Sequence, residues 1–355
     1  MMKNKTSCDY IIVGQGLAGT LMAYFLEEAG KTVGLIDQPD ERAASQVAAG
    51  IINPVTGRRY VKSWRIDQLL PFAEKTYRAI EDKFGIRIYH QRNILRSLFN
   101  SREENDWLLR TAEPGYESYL LDTAHLGKYA EHTVPAFSYG EVSQAAQVNL
   151  PLLIETYRKY LVENERIITD HFDYGAIEFE AEQVRYQQLC AKTIIFCEGH
   201  KAIHNPFFNY LPFRGAKGEV LIIRIADVDF EKILKHRVFI APLGNQLYWV
   251  GSSYVWQYQD EHPTAQGKAF LLDRLADILQ VPFEVVEHRS AIRPTVKDRR
   301  PFLGRHTEWP QLAIFNGLGT KGTSLGPFWA KALQEHLCQG NTLDPAVDIQ
   351  RFVSE

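Results

Sequence analysis

Gly14-Gln15-Gly16-Leu17-Ala18-Gly19 is the stretch of this chain whose residue types and spacing most directly imply chemistry. It fits G-x-G-x-x-G, in which the first glycine allows a tight turn, the second lets backbone approach a pyrophosphate, and the third lets a helix pack closely on a strand. Leu17 and Ala18 would open that helix, whose unpaired N–H groups and partial positive charge favour phosphate by about 0.3–1 kcal/mol per charge. Asp37 lies 23 positions after Gly14. A carboxylate there suits hydrogen bonds from ribose hydroxyls and disfavours a 2′-phosphate. The same pattern can be an ordinary glycine-rich turn, so the surrounding elements decide its meaning.

Those elements occur in the required order. Asp9 to Val13 is a short apolar run rich in β-branched residues, as a buried parallel strand would be. Leu17, Leu21, Tyr24, Phe25 and Glu28 have helical spacing up to Ala29, and Gly30 ends the helix. Lys31 to Ile36 reads as a second strand with Asp37 at its carboxyl end. Next comes Ala43-Ala44-Ser45-Gln46-Val47-Ala48-Ala49-Gly50-Ile51-Ile52-Asn53-Pro54. Its small side chains would let backbone amides meet a ligand, although a helix start capped by Ser45 is an alternative.

At this segment the chain resembles the FAD-dependent D-amino-acid oxidase and glycine oxidase family, which carries A-S-x-x-A-A-G here. The resemblance continues along the chain in the family's order. Thr193-Ile194-Ile195-Phe196-Cys197-Glu198-Gly199 looks like the strand and turn that return to the cofactor. Phe213-Arg214-Gly215-Ala216-Lys217-Gly218-Glu219-Val220 is similar to P-x-R-G-x-x-G. The run from Ile292-Arg293-Pro294-Thr295 to Gly304 is similar to R-P-x-T-x-D-x-x-P-x-x-G, and Gly317-Leu318-Gly319-Thr320-Lys321-Gly322 opens the last helix. The resemblance implies FAD rather than NAD, because a second glycine-opened helix near the end of the chain serves to hold a flavin ring. It also implies the cofactor contacts: Gly14, Gly16, Leu17, Ala18, Gly19, Asp37, Ala44, Ser45, Ala49, Gly50, Phe172, Cys197, Glu198, Gly199, Arg293, Gly317, Gly319, Thr320, Lys321, Gly322 and Thr323. Residues 43–54 contain no histidine and 292–304 no cysteine, so the FAD is expected to be noncovalent.

Because these motifs lie in separated blocks, the expected architecture is α/β with a discontinuous Rossmann-like FAD-binding domain over 1–80, 145–213 and 293–355. A smaller α+β substrate domain with a mainly antiparallel sheet is expected over 81–144 and 214–292. Val238–Ala241 and Leu247–Gly251 look like a hairpin through Gly244-Asn245. Phe270 to Leu279 looks helical and amphipathic.

By resemblance, Arg293 is the expected substrate anchor, since its planar fork can bind a carboxylate with two parallel hydrogen bonds. A structural ion pair with Asp298 is the alternative. The dipole of the last helix would stabilise negative charge on a reduced flavin, and Lys321 could add to it. Glycine oxidases have an arginine where Thr320 aligns and a tyrosine where Phe239 aligns, which points to a bulkier or more apolar amine than glycine or sarcosine. Tyr248 and Trp249 could line such a pocket or belong to the core; His200 could act as acid or base, or simply cap its turn. The expected reaction is oxidation of the C–N bond of an amino acid or secondary amine to an imine that hydrolyses, with an electron acceptor that could be oxygen. Gly317 to Pro327 also resembles the oxidase half of a bifunctional wobble-uridine tRNA modification enzyme, which makes a tRNA side chain an alternative substrate. A flavin-binding protein without catalysis is the third reading.

Composition bounds these readings. At 355 residues the chain exceeds what one core usually serves, so two lobes are expected. A formal charge of −3 gives no global field for a polyanion, so nucleic acid is not the expected partner. The clusters Arg58, Arg59, Lys62, Arg65 and Lys297, Arg299, Arg300 read as solvated or ion-paired surface. Cys8, Cys190, Cys197 and Cys338 show no metal or disulfide spacing, which suits a reducing cytoplasm. Tyr10 to Leu26, preceded by Lys3 and Lys5, superficially resembles a signal peptide, but its glycines and Glu27-Glu28 argue against secretion.

Overall fold

The computed structural model describes residues 6–353, and Lys3 and Lys5 lie outside the described residues. The chain folds into two compact units, one of Met1–Gln46, Leu150–Ala216 and Ile292–Glu355, the other of Val47–Asn149 and Lys217–Ala291. Among the described residues, no helix is long and apolar enough to cross a membrane.

The first unit is built on a six-stranded sheet in the order Ile167–Ile168, Val33–Ile36, Tyr10–Val13, Thr193–Phe196, Leu312–Asn316, Phe302–Arg305. All neighbours pair in parallel except the last two strands. The four central strands are buried along their whole length. This is why they read as continuous apolar runs rather than alternating ones. A four-stranded sheet of Thr6–Ser7, Leu189–Ala191, Val184–Tyr186 and Ile177–Phe179 completes the β structure of this unit. Helix Leu17–Glu28 follows the first core strand directly and buries nine of its residues, consistent with the expected strand, glycine turn and helix.

The second unit carries an eight-stranded, mainly antiparallel sheet in the order Glu284–Arg293, Ala216–Arg224, Leu247–Gly251, Phe239–Gly244, Ile233–Lys235, Ile94–Leu98, Ser138–Val142, Leu120–Leu121. One face packs Leu95, Leu221, Ile223, Leu234, Ile240, Tyr248 and Val250 against Leu271 and Leu275 of helix Ala265–Ala276. That helix starts five residues earlier than its apolar spacing suggests. Thr264 caps it by accepting from Gly267 N at 3.0 Å. The hairpin turn is Asn245-Gln246, both at positive φ, rather than Gly244-Asn245.

The unit boundaries differ from the sequence reading. Residues 47–80 and 145–149, expected with the FAD domain, fall in the second unit, and residues 214–216 and 292, expected with the substrate domain, fall in the first. Ile51–Ile52 pairs with Ala146–Val148 of that unit. The carboxylate of Glu81, near the end of helix Ile66–Phe84, accepts from Ile88 N at 2.7 Å and Tyr89 N at 2.8 Å, so the helix is tied to the strand that follows it. Neither link has a local sequence signal.

Candidate cofactor site

The glycine turn of the first unit is as close-packed as its sequence implies. Gly14 sits at φ +94°, and a Cβ there would lie 2.7 Å from the Cys197 carbonyl oxygen. A Cβ on Gly19 would lie 1.9 Å from the Gly14 carbonyl oxygen, so helix and strand approach at a distance only glycine tolerates. A Cβ on Gly16 would reach 3.2 Å from Ser45 Oγ, so that hydroxyl faces the turn instead of capping its own short helix, Ala44–Val47.

Asp37 is held by partners that the sequence did not single out. Its Oδ1 accepts from Gln15 N at 2.8 Å and its Oδ2 from Arg158 Nη1 at 2.6 Å, while the same Arg158 nitrogen donates to Gln15 Oε1 at 2.8 Å. Each carboxylate oxygen has two lone-pair sites, so capacity remains for ribose hydroxyls. Arg158 comes from helix Leu150–Glu163, more than a hundred residues away in sequence, and no motif marks it.

The Cys197-Glu198-Gly199 turn lies against Gly14, with Glu198 Cα 3.3 Å from where a Gly14 Cβ would be. Cys197 is buried, which pushes its thiol well above the ordinary range, so it is not a nucleophile. Phe172 contributes its ring to the core, stacked on Tyr186 with centroids 4.3 Å apart. Asn316 was also missed by sequence: its Nδ2 donates to the Gly199 carbonyl at 3.0 Å and its Oδ1 accepts from Gly317 N at 2.7 Å, joining the two glycine turns. His200 is the second residue of the short 3₁₀ segment Gly199–His204.

Glu198 accepts from Tyr174 Oη at 2.5 Å and Asn205 Nδ2 at 2.8 Å, and burial pushes its carboxyl up to about 7. Because the folded value exceeds the unfolded one, the folded chain binds more protons between about pH 4.5 and pH 7. Its contribution to stability is therefore fully present below that window and declines as pH rises through it. Melting temperatures measured from pH 5 to pH 8 should fall with pH in the wild type and fall less in Glu198→Gln; parallel curves would remove Glu198 as the cause.

The last helix, Gly322–Gln339, supplies the second glycine-opened turn. Gly317 and Gly319 are at φ +75° and +58°, and Gly319 N donates to the Pro294 carbonyl at 3.1 Å. A Cβ on Gly322 would lie 3.3 Å from Leu17 Cδ2, and one on Gly326 would lie 2.7 Å from Leu21 Cδ1. Both contacts advance in the same direction, so the first and last helices run parallel with their amino termini side by side. Neither helix has a side-chain cap or an acidic residue in its first turn. The helices of the other unit capped by Asn100 and Thr264 show the contrast. Two uncapped positive helix ends beside a turn that a Cβ would fill are a donor set suited to an anionic dinucleotide. The residues present thus fit FAD: Gly14–Gly19 and Ser45 for its phosphates, Asp37 for its ribose, and the Gly317–Thr323 turn for its ring.

Arg293 ends strand Glu284–Arg293 and is half-buried, with Nη1 at 3.5 Å from the Ala216 carbonyl. Asp298, its alternative partner, is engaged elsewhere: Asp298 Oδ2 accepts from Arg351 Nε at 3.2 Å. The segment after Arg293 is anchored by Arg214 N, which donates to the Thr295 carbonyl at 2.8 Å, and by Thr295 Oγ1, which donates to the Arg214 carbonyl. The two motifs that look separate in sequence therefore dock on one another. Lys321 occupies the cap position of the last helix, where burial, then Arg299 and Arg300, lower its ammonium pKa. Thr320 is exposed, whereas Thr323 is buried in the first turn.

The remaining site candidates belong to the second unit. Gly50 has a packing reason to be glycine, since it sits at φ +68° and a Cβ there would lie 1.9 Å from the Val148 carbonyl; Ala49 beside it is buried. Tyr248 is not a pocket residue. It is 1% exposed on the helix-covered face of the sheet, where its hydroxyl donates to the Val228 carbonyl at 2.6 Å and accepts from Phe230 N at 3.0 Å. Strand alternation puts Trp249 on the opposite face, the one that carries Phe239.

Fold and site together define an α/β dinucleotide-binding oxidoreductase with a second, mainly antiparallel unit. The family model for FAD dependent oxidoreductase, DAO, matches residues 9–336, and the chain belongs to that family, with FAD as its cofactor. Among curated proteins it is 25% identical over 349 residues to the bifunctional protein ThiO/ThiG of Nostoc sp., covering 92% of this chain and 52% of that protein. It is 22% identical over 365 residues to the tRNA 5-methylaminomethyl-2-thiouridine biosynthesis bifunctional protein MnmC of Marinobacter nauticus, covering 93% and 55%. The chain thus spans about half the length of these two relatives. Among solved structures, glycine oxidase from Bacillus cereus superposes with a TM-score of 0.77 at 20% identity, covering 95% of this chain and 96% of that one.

Proposed function

We propose that this protein oxidises the C–N bond of an amino acid or secondary amine, using noncovalent FAD in a reducing cytoplasm and passing the electrons to an acceptor for which oxygen is one candidate. The carbon bearing nitrogen gives up a hydride and the nitrogen a proton, and water hydrolyses the resulting C=N bond. Bound FAD supplies the hydride acceptor. The first unit serves as its binding domain and the second as the substrate domain. The observation that carries the reading is the pair of parallel, uncapped helix amino termini in the first unit, which offers positive potential where a flavin gains negative charge. The planar fork of Arg293 holds a substrate carboxylate with two parallel hydrogen bonds, and Lys321 adds positive charge at the last helix.

Anaerobic mixing of the purified yellow protein with a panel of amino acids and amines tests this directly. At least one should bleach the flavin, and re-aeration should restore the colour. Failure of the whole panel would favour a flavin protein without turnover. The similarity to MnmC supports a second reading, a tRNA side chain as substrate; tight, steeply salt-dependent binding of tRNA would put that reading first.

A further inference from the structure

The face of the eight-stranded sheet opposite its helix-packed core carries charge that the fold does not neutralise. Cross-strand pairing sets Gly140, Arg96, Lys235, Phe239 and Gly251 in one row across five strands. Residues paired in this way point to the same face, so Arg96 and Lys235 are immediate neighbours. Both are half-buried. Like charges directly opposite one another destabilise a sheet, and burial raises that cost.

Among the described residues no carboxylate lies within ion-pairing distance of either cation. Lys235 Nζ donates to the Arg237 carbonyl at 3.1 Å and lies 4.5 Å from the centroid of Phe239. The Arg96 guanidinium lies 4.9 Å from the centroid of Tyr60, and its buried Nε has no hydrogen-bond partner. Burial, then Arg96, pushes the Lys235 ammonium down to about 8. Trp107 closes one end of the row: a Cβ on Gly140 would come within 2.3 Å of its ring, and it meets Tyr60 edge to face with centroids 5.2 Å apart. Phe239, the next residue in the row, bounds the two cations on the other side. The result is a cationic floor between aromatic walls, with one buried N–H unanswered.

We infer that Arg96 and Lys235 form an oxyanion-binding site, and, resting on the oxidase reading above, that the amine substrate carries, in addition to the carboxylate assigned to Arg293, a second acidic group, carboxylate or phosphate, which docks there. The aligned tyrosine-to-Phe239 exchange suggests an apolar substrate when read alone. With Arg96 and Lys235 beside Phe239, polar recognition is supplied by neighbours that the alignment does not reveal.

The test uses the FAD-loaded protein in two independent arms. Calorimetric titration with glutarate and with inorganic phosphate should detect binding, weakened about tenfold or more in Arg96→Gln and in Lys235→Gln, as loss of a charge-assisted bond implies. The stronger of the two probes tells carboxylate from phosphate. Arg96→Lys, which keeps the charge, should stay within a few-fold of wild type, and unchanged melting temperature and flavin spectrum show that the variants fold. In the second arm, amino acids bearing a second acidic group should bleach the flavin with kcat/KM about tenfold or more above the counterparts in which that group is an amide, a preference that both glutamine variants erase mainly through KM. Absence of anion binding by the wild type, or equal binding by wild type and both variants, overturns the site. If anions bind as described but acidic and amide amines bleach alike, the substrate assignment falls. If nothing bleaches, the oxidase reading fails while the anion arm still decides the site.

Discussion

Gly19→Val should yield a protein purified without its yellow colour. Even the first added carbon would lie 1.9 Å from the Gly14 carbonyl oxygen and 3.0 Å from its carbon. These are backbone atoms of a turn pinned by Gly14 N to the Ile36 carbonyl at 2.9 Å, so the helix must move rather than the obstacle. Overpacking of this kind costs about 1–3 kcal/mol of stability. The larger effect is on ligand, because displacing the helix carries its first-turn amides away from the phosphates they would hold. FAD affinity should fall by about a hundredfold or more, equivalent to losing about 3 kcal/mol. Gly30→Ala is the control: nothing lies within 4 Å of a Cβ there, although its φ of +72° still imposes about 1–2 kcal/mol of backbone strain. Flavin absorbance per protein, read after purification and after reconstitution with FAD, checks both. A fully loaded Gly19→Val protein would mean that the turn does not hold the cofactor.

Arg293→Ala should lower kcat/KM for a carboxylated amine by roughly 2–5 kcal/mol, that is, from about thirtyfold to a few thousandfold. The basis is a half-buried guanidinium at the end of strand Glu284–Arg293, whose planar fork matches a carboxylate. Arg293→Lys should recover only part of the loss, because an ammonium cannot reproduce the two parallel bonds of the planar fork. The comparison that separates anchoring from structural support is an amine without a carboxylate. Its kcat/KM should be nearly unchanged by Arg293→Ala; an equal fall for both substrates would assign Arg293 a structural role.

The parts of this protein that were legible in its sequence are those whose physical cause is local. Gly14, Gly16 and Gly19 announce a turn because steric exclusion acts over six consecutive residues. Tyr10–Val13 and Thr193–Phe196 announce buried parallel strands because burial on both faces demands an unbroken apolar run. The later motifs could be joined to the first only through family resemblance. What joins them physically, Asn316 between the Gly199 and Gly317 turns and Gly322 and Gly326 against Leu17 and Leu21, is contact between residues far apart in the chain.

Taken alone, then, the amino-acid order determined the dinucleotide turn and the α/β class, because each rests on residue types at short, fixed spacing, and it pointed to the FAD family through resemblance. Tertiary structure decided which of Tyr248 and Trp249, both buried, packs under the helix, since a single step along a strand reverses the face and only pairing sets which face is covered. It alone brought Arg158 to Asp37, Arg351 to Asp298, and Arg96 beside Lys235. Charge acts through space over a few ångströms, and no linear spacing records which distant side chains a fold will bring within that reach.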